Sequence, residues 1–316
     1  MKAILRFAVP VLLATAAVSA HAAQLSTDAR QAVPHNVQQL VAIDYHAMEN
    51  SSAAMDLRNR VMPADLKRFE EALQKSGLNE NHDVEQLAFV LFRAKEGDER
   101  LDTVGIAQGQ FPVTDILANF RKRGVKAVSV RNNKVYPLSK TGMVVCFVDA
   151  STMVFGDTEA VGKALDARDG ISPSLLNNTS MMEAMKSVDS EPLWSILDKK
   201  GTQTMMGQIM GEAGSTSDFD SIRKRLQGSW YSMNFQHGVK FDLTISTGDP
   251  FASATLSSLL SAALTVRKMS GTEAEKQALT ATSLASDSGR MSIHFSTTDA
   301  QFSSLLQSPL FQGMVR

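Results

Sequence analysis

Trp230-Tyr231-Ser232-Met233-Asn234-Phe235-Gln236-His237-Gly238-Val239-Lys240-Phe241-Asp242-Leu243-Thr244-Ile245-Ser246 reads as two strands, Trp230 to Phe235 and Val239 to Ser246, folded about His237-Gly238. Pro250 then opens a long helix with Leu256, Leu259, Leu260 and Leu264 on one face, since a first-turn proline gives up an N–H that the helix leaves unpaired anyway. A second hairpin, Ser283 to Ala285 with Arg290 to Phe295, turns at Asp287-Ser288-Gly289, and a last helix runs from about Thr298 to Leu306. Upstream, Leu193 to Leu197 is a short strand. Gly201 to about Leu226 is helical with a break at Gly211 to Ser217.

The first half follows the same order. Gln39 to Tyr45 reads as a strand, and Asn50 to Ser76 as helix broken in two by Pro63. Gln86 to Arg93 and Leu101 to Gln108 form a hairpin through a charged turn with Gly97. Pro112 sits just inside a helix with Ile116, Leu117 and Phe120 on one face, which stops at Gly124. Val125 to Val130 and Lys134 to Leu138 turn around Asn132-Asn133, residues that tolerate positive φ. Met143 to Asp149 and Thr152 to Phe155 are a further strand pair, and Asp157 caps a helix running to about Ala167.

Strand, helices, hairpin, helix, hairpin is the order of a split β-α-β, or ferredoxin-like, unit with an added strand. The expected fold class is α+β: two tandem repeats of this type, with antiparallel sheets and helices packed on one face. The alternative is two unrelated α+β units in the same order. The expected boundaries are a signal peptide at 1–22, repeat 1 at 33–170, a connecting segment at 171–190 with a helix at Ser180 to Lys186, and repeat 2 at 191–310.

Lys2 and Arg6 precede an apolar run from Phe7 to Val18 that leads into Ala20-His21-Ala22, the pattern of a secretory signal peptide with a small-x-small cleavage site. The run is shorter than the roughly 20 residues of a membrane span. Cleavage after Ala22 leaves 294 residues starting at Ala23, bound for the periplasm or the medium. Hydrophobic residues make up 43% and charged residues 21% of the chain, a globular composition with no second long apolar segment. The charge of −1 becomes −3 once Lys2 and Arg6 are lost, too near neutral for a nucleic-acid partner. Arg121-Lys122-Arg123 and Arg223-Lys224-Arg225 read as solvated helix faces.

The one cysteine, Cys146, lies in the apolar run Met143 to Val148 and reads as a buried strand residue. A single thiol forms no internal disulfide, and no cysteine follows the signal segment to take a lipid anchor.

Phe147-Val148-Asp149-Ala150-Ser151-Thr152-Met153-Val154-Phe155-Gly156-Asp157, followed by Ala160-Val161 and Ala164-Leu165-Asp166, resembles a recurring signature of uncharacterised secreted bacterial proteins built from paired α+β repeats. Val33-Pro34 ahead of the first strand resembles their opening segment. The resemblance implies an exported, two-lobed protein and brings no activity with it.

Motifs of catalysis fail on order and spacing. Ser221-Ile222-Arg223-Lys224 and Lys140-Thr141-Gly142 match two elements of penicillin-recognising enzymes, but in reversed order and without a Ser-Asp-Asn element between them. His35, His46, His82, His237 and His294 stand at no recognised metal-ligand spacing, and no Cys-x-x-Cys or phosphate-binding glycine motif occurs. Glu70-Glu71 reads as part of a charged, solvated helix. Met181, Met182 and Met185, then Met205, Met206 and Met210, suit a core, a greasy groove or copper(I).

No catalytic, cofactor-binding or metal-ligating residue is assigned. The expected function is an exported, non-enzymatic binding or interaction protein for an unknown ligand or envelope partner. The alternatives are a hydrolase assembled from scattered residues around His46, His82, His237 or His294, and methionine-based copper handling with Met185 facing Met210.

Overall fold

The structure, a computed structural model, describes residues 22–62, 64–95, 100–138, 142–210, 217–309 and 311–312. The expected signal peptide up to His21 and the Lys140-Thr141 pair lie outside the described residues. In chain order the strands are β1 (Val37–Asp44), β2 (Val84–Arg93), β3 (Leu101–Gly109), β4 (Val128–Val130), β5 (Asn133–Pro137), β6 (Met143–Phe147), β7 (Thr152–Asp157), β8 (Leu193–Leu197), β9 (Leu226–Asn234), β10 (Val239–Thr247), β11 (Thr282–Asp287) and β12 (Arg290–Thr297). The helices of the first half are α1 (Thr27–Gln31), α2 (Tyr45–Glu49), α3 (Ser52–Val61), α4 (Ala64–Gln74), α5 (Glu80–Asp83), α6 (Val113–Lys122) and α7 (Thr158–Arg168). After them come α8 (Thr179–Lys186), α9 (Lys199–Met210), α10 (Ser217–Arg223), α11 (Pro250–Ser270), α12 (Glu273–Thr280) and α13 (Asp299–Leu306).

All twelve strands join one sheet in the order β11-β12-β10-β9-β8-β1-β2-β3-β7-β6-β5-β4, and the paired strands are antiparallel. The expectation of separate sheets with helices on one face is thereby corrected. Burial explains the merger: every residue of β8 is buried, so β8 cannot serve as an edge and pairs with β1 through Leu40 opposite Ile196 and Ala42 opposite Trp194.

Alternation along the strands divides the core between the two faces. On one face Leu40, Val90, Ile106, Val154 and Trp194 pack with Ala29 of α1, Val161 and Leu165 of α7, and Met181 and Met185 of α8. On the other, Phe155, Met153 and Ala107 meet Phe69 and Leu73 of α4 and Ile116 and Phe120 of α6. Further along that second face, Leu243, Ile245 and Met291 meet Met206 and Met210 of α9, Phe219 of α10 and Leu256 and Leu260 of α11. Met185 and Met210 therefore lie in different clusters on opposite faces, so they do not form the facing pair that copper handling requires.

Several boundaries move. Pro112 is the residue before the helix rather than its first. The hairpin expected at Asn132-Asn133 turns one residue earlier, with Val130 paired to Asn133 and positive φ at Arg131, whose guanidinium grips the Asp166 carboxylate at 2.5 and 2.7 Å. Leu226 opens β9 instead of closing the preceding helix. The helix α12 was not foreseen; a capping box of Thr272 and Glu275 starts it. Asp157 caps α7 through Ala160 N as expected, and Cys146 is buried, its thiol pushed up by desolvation against the opposing Arg168.

Candidate functional site

Under α4, against the second face of β2, β3 and β7, lies a cavity with about 30 Å³ of room for water-sized centres, enough for about two waters. Its wall is mostly apolar. Leu66, Phe69 and Leu73 line it from α4, and Phe89, Met153 and Phe155 from the sheet. The Phe69 and Phe155 rings stack at 4.7 Å, with Phe89 edge-on to Phe155 at 6.1 Å. Gly105 makes room for this arrangement, because a Cβ there would stand 2.2 Å from the Phe155 ring.

One end of the cavity is polar. Tyr45, Glu70 and Glu80 line it, each brought there by a different helix. Ser51 starts α3 by accepting from Ala54 N, and Arg58, one turn beyond Ala54, places one guanidinium nitrogen 2.7 and 2.8 Å from the two oxygens of Glu70. The same nitrogen is 3.8 Å from Glu80 Oε2. The Tyr45 hydroxyl donates to Glu80 Oε2 at 3.2 Å or to Asn81 Oδ1 at 3.3 Å, and a single proton serves one of them at a time. The Arg58 guanidinium also stands over the Tyr45 ring at 5.9 Å.

Glu80 is only 8% exposed, and its Oε1 has no hydrogen-bond partner. Among the described residues one other buried side-chain atom shares this condition, Asn133 Nδ2, beside Arg168 and away from the cavity. Desolvation, then the charge of Glu80, raises the Glu70 carboxyl above its ordinary 4.5, against the pull of Arg58. Burial, then Glu80, drives the Tyr45 phenol far above its ordinary value, so the hydroxyl stays protonated and remains a donor.

The reading of Glu70-Glu71 as a solvated pair is half corrected. Glu71 is exposed, but the Glu70 side chain is 18% exposed and committed to Arg58. The signal was present in the spacing: Leu66, Phe69, Glu70 and Leu73 occupy i, i+3, i+4 and i+7, so Glu70 falls inside the apolar stripe of α4.

The histidines do not converge on a cavity. His82 Nδ1 lies 2.9 Å from Asp83, and His46 lies 4.0 Å from Glu49. His294 Nδ1 lies 2.5 Å from Asp242 across β12 and β10, and Ser283 stands opposite His294 on β11. This serine, histidine and carboxylate share one row, but all three are exposed and line neither cavity. His237 is an exposed turn residue, and Ser221 lies exposed on α10. Arg223 and Arg225 pair with Asp220 and Asp249. A second, wider depression of about 610 Å³ runs along His35, Ile171, Pro173 and Leu176 and contains no unpartnered buried polar atom. No group of three or more histidine, cysteine, aspartate or glutamate residues that could hold a metal occurs among the described residues.

Neither a family model nor a curated protein sequence matches the chain. Solved structures do, among them crystal forms I and III of TP0453, a Treponema pallidum protein, which superpose with TM-scores of 0.51 and 0.52. Each covers 88% of this chain, and 95% and 96% of its own, at 11% and 10% identity. At that identity the likeness establishes a shared fold and nothing of the site. No described helix is long and apolar enough to cross a membrane.

Proposed function

We propose that this chain is an exported, non-enzymatic binding protein, periplasmic or secreted after cleavage behind Ala22, and that its ligand site is the cavity under α4. The observation that carries the reading is the apolar cavity itself, whose wall gathers Tyr45, Glu70 and Glu80 at one side of the Phe69–Phe155 stack. No serine, threonine, cysteine or histidine lines the pocket, and room for about two waters admits no sugar ring, which favours binding over hydrolysis.

The same reading takes the two halves as a duplicated unit. Reading outward from the β1–β8 junction, β1-β2-β3-β7-β6 runs one way and β8-β9-β10-β12-β11 the other, so these five strands on each side match place for place, while β5 and β4 extend the first side alone. Helices α3 and α4 precede the β2–β3 hairpin as α9 and α10 precede β9–β10. Among the described residues the first half sets buried carboxylates at these helices, Glu70 and Glu80, so duplication would have left one copy to bind and the other to extend the sheet.

Native mass spectrometry of the mature chain, purified from its own compartment, tests the proposal. A stoichiometric extra mass that disappears in Phe69→Trp, which fills the cavity, supports it. A bare protein mass argues against stable capture of a small ligand and directs attention to an envelope protein as partner.

A further inference from the structure

We infer that leader removal is ordered before folding: a signal peptidase cuts the Ala22–Ala23 bond only while residues 22–25 are undocked, and the folded precursor is closed to it. The inference rests on the proposed export and cleavage behind Ala22 and adds when that cleavage takes place. Both sides of the scissile peptide are bonded into the fold. The Ala22 carbonyl oxygen accepts from Gln24 N at 2.8 Å and from Gln86 Nε2 at 3.2 Å, while Ala23 N donates to the Glu191 carbonyl at 3.0 Å. On the next peptide, the Ala23 carbonyl takes the Trp194 indole at 2.9 Å. Ala23 and Leu25 are buried in the same cluster as Trp194. Ser26 then caps α1, whose Ala29 is buried in that cluster too, so the docked stretch has no slack from which to lift out.

Hydrolysis adds the hydroxyl of water to the Ala22 carbonyl carbon, breaks the C–N bond and leaves an Ala22 carboxylate and an Ala23 amine. The peptidase has to reach that carbon and put its own donors on the oxygen that Gln24 and Gln86 occupy. It also has to hold the flanking chain extended through main-chain hydrogen bonds, and the N–H and C=O of Ala23 are both taken. Cleavage of the folded chain therefore waits on local opening and follows the population of the open form. Position in the chain sets the timing. Gln86 lies 64 residues beyond Ala22, and Trp194 lies 171 beyond Ala23. A chain that emerges N-terminus first keeps the site open until β8, which carries Trp194, has followed it. A chain folded before export keeps its leader.

The test incubates the chain from Met1, leader intact, with a purified signal peptidase in detergent micelles. One portion is folded; the other is unfolded in urea and diluted into the assay with the enzyme already present. Intact mass reads the product. The expected result is a chain starting at Ala23 from the unfolded portion and cleavage at least about tenfold slower from the folded one. Gln86→Ala and Trp194→Phe, each removing one bond of the dock, should speed cleavage of the folded precursor, and two variants keep the readout if one of them fails to fold. Equal rates for folded and unfolded wild type, or protection unchanged in the folded variants, overturn the inference and leave the export reading standing. An unfolded portion that is not cut, or is cut elsewhere, overturns the cleavage site and the inference with it.

Discussion

The indole Nε1 of Trp194 donates a 2.9 Å hydrogen bond to the carbonyl oxygen of Ala23. This bond links the centre of the sheet to the residue expected to begin the mature chain. Both residues are fully buried, and Ala23 N donates to the Glu191 carbonyl at 3.0 Å. The segment behind the expected cleavage site is therefore part of the core.

Trp194→Phe should lower unfolding stability by about 2–4 kcal/mol, from the space vacated and the orphaned Ala23 carbonyl together. Urea unfolding of the mature wild-type chain and the variant measures this. A loss below about 0.5 kcal/mol would mean that the N-terminal segment is not anchored through this bond.

Glu70 carries a pH dependence of known sign. Its folded-state pKa lies above the ordinary 4.5, so between 4.5 and that raised value the folded chain holds a proton that the unfolded chain has released, and stability from this group rises as pH falls. On going from pH 7.5 to pH 5 the wild type should gain stability relative to Glu70→Gln. A relative loss over the same interval, measured by thermal unfolding in matched buffers, would contradict the burial of this carboxylate.

At Gly105 an added methyl would lie 2.2 Å from Phe155. Gly105→Ala should displace that ring from its stack with Phe69, costing about 1–3 kcal/mol and weakening the near-ultraviolet circular dichroism. Ligand binding in the cavity should weaken with it, since both rings line the wall. An unaltered aromatic spectrum would show that the ring does not sit where the stack requires.

Asp198 joins the halves. Its Oδ1 accepts from Gly201 N at 2.7 Å in the first turn of α9, and its Oδ2 accepts from Arg93 of β2 at 2.9 Å. Asp198→Asn keeps a capping oxygen and loses the charge, whereas Asp198→Ala loses both. The alanine variant should fall by about 1–3 kcal/mol and the asparagine variant by less. Equal losses would assign the whole effect to the ion pair.

Local chemistry was legible in the chain where one segment decides the outcome. Asp157, Pro250 and Thr298 mark helix starts through their own side chains, and each stands at or beside the observed start. Where two segments compete, the reading shifted. The turn after β4 falls on Arg131-Asn132 rather than Asn132-Asn133, and Asp166 of α7, 35 residues away in the chain, holds Arg131 there. Leu226 looks like the end of a helix until β8 and β10 claim its neighbours as a strand.

By itself the sequence determined the type and order of most elements, the buried fate of Cys146 and the α+β class, because period, caps and turn residues act within a few positions along the chain. Only the tertiary structure decided that the two halves share one sheet, since that follows from β8 meeting β1 across more than 150 residues with no free edge on either. The spacing of α4 sets Glu70 in its apolar stripe, but only the tertiary structure made it one wall of a pocket. The burial of a charge depends on what packs over it, and Tyr45, Arg58, Glu70 and Glu80 come from four helices that no local pattern brings together.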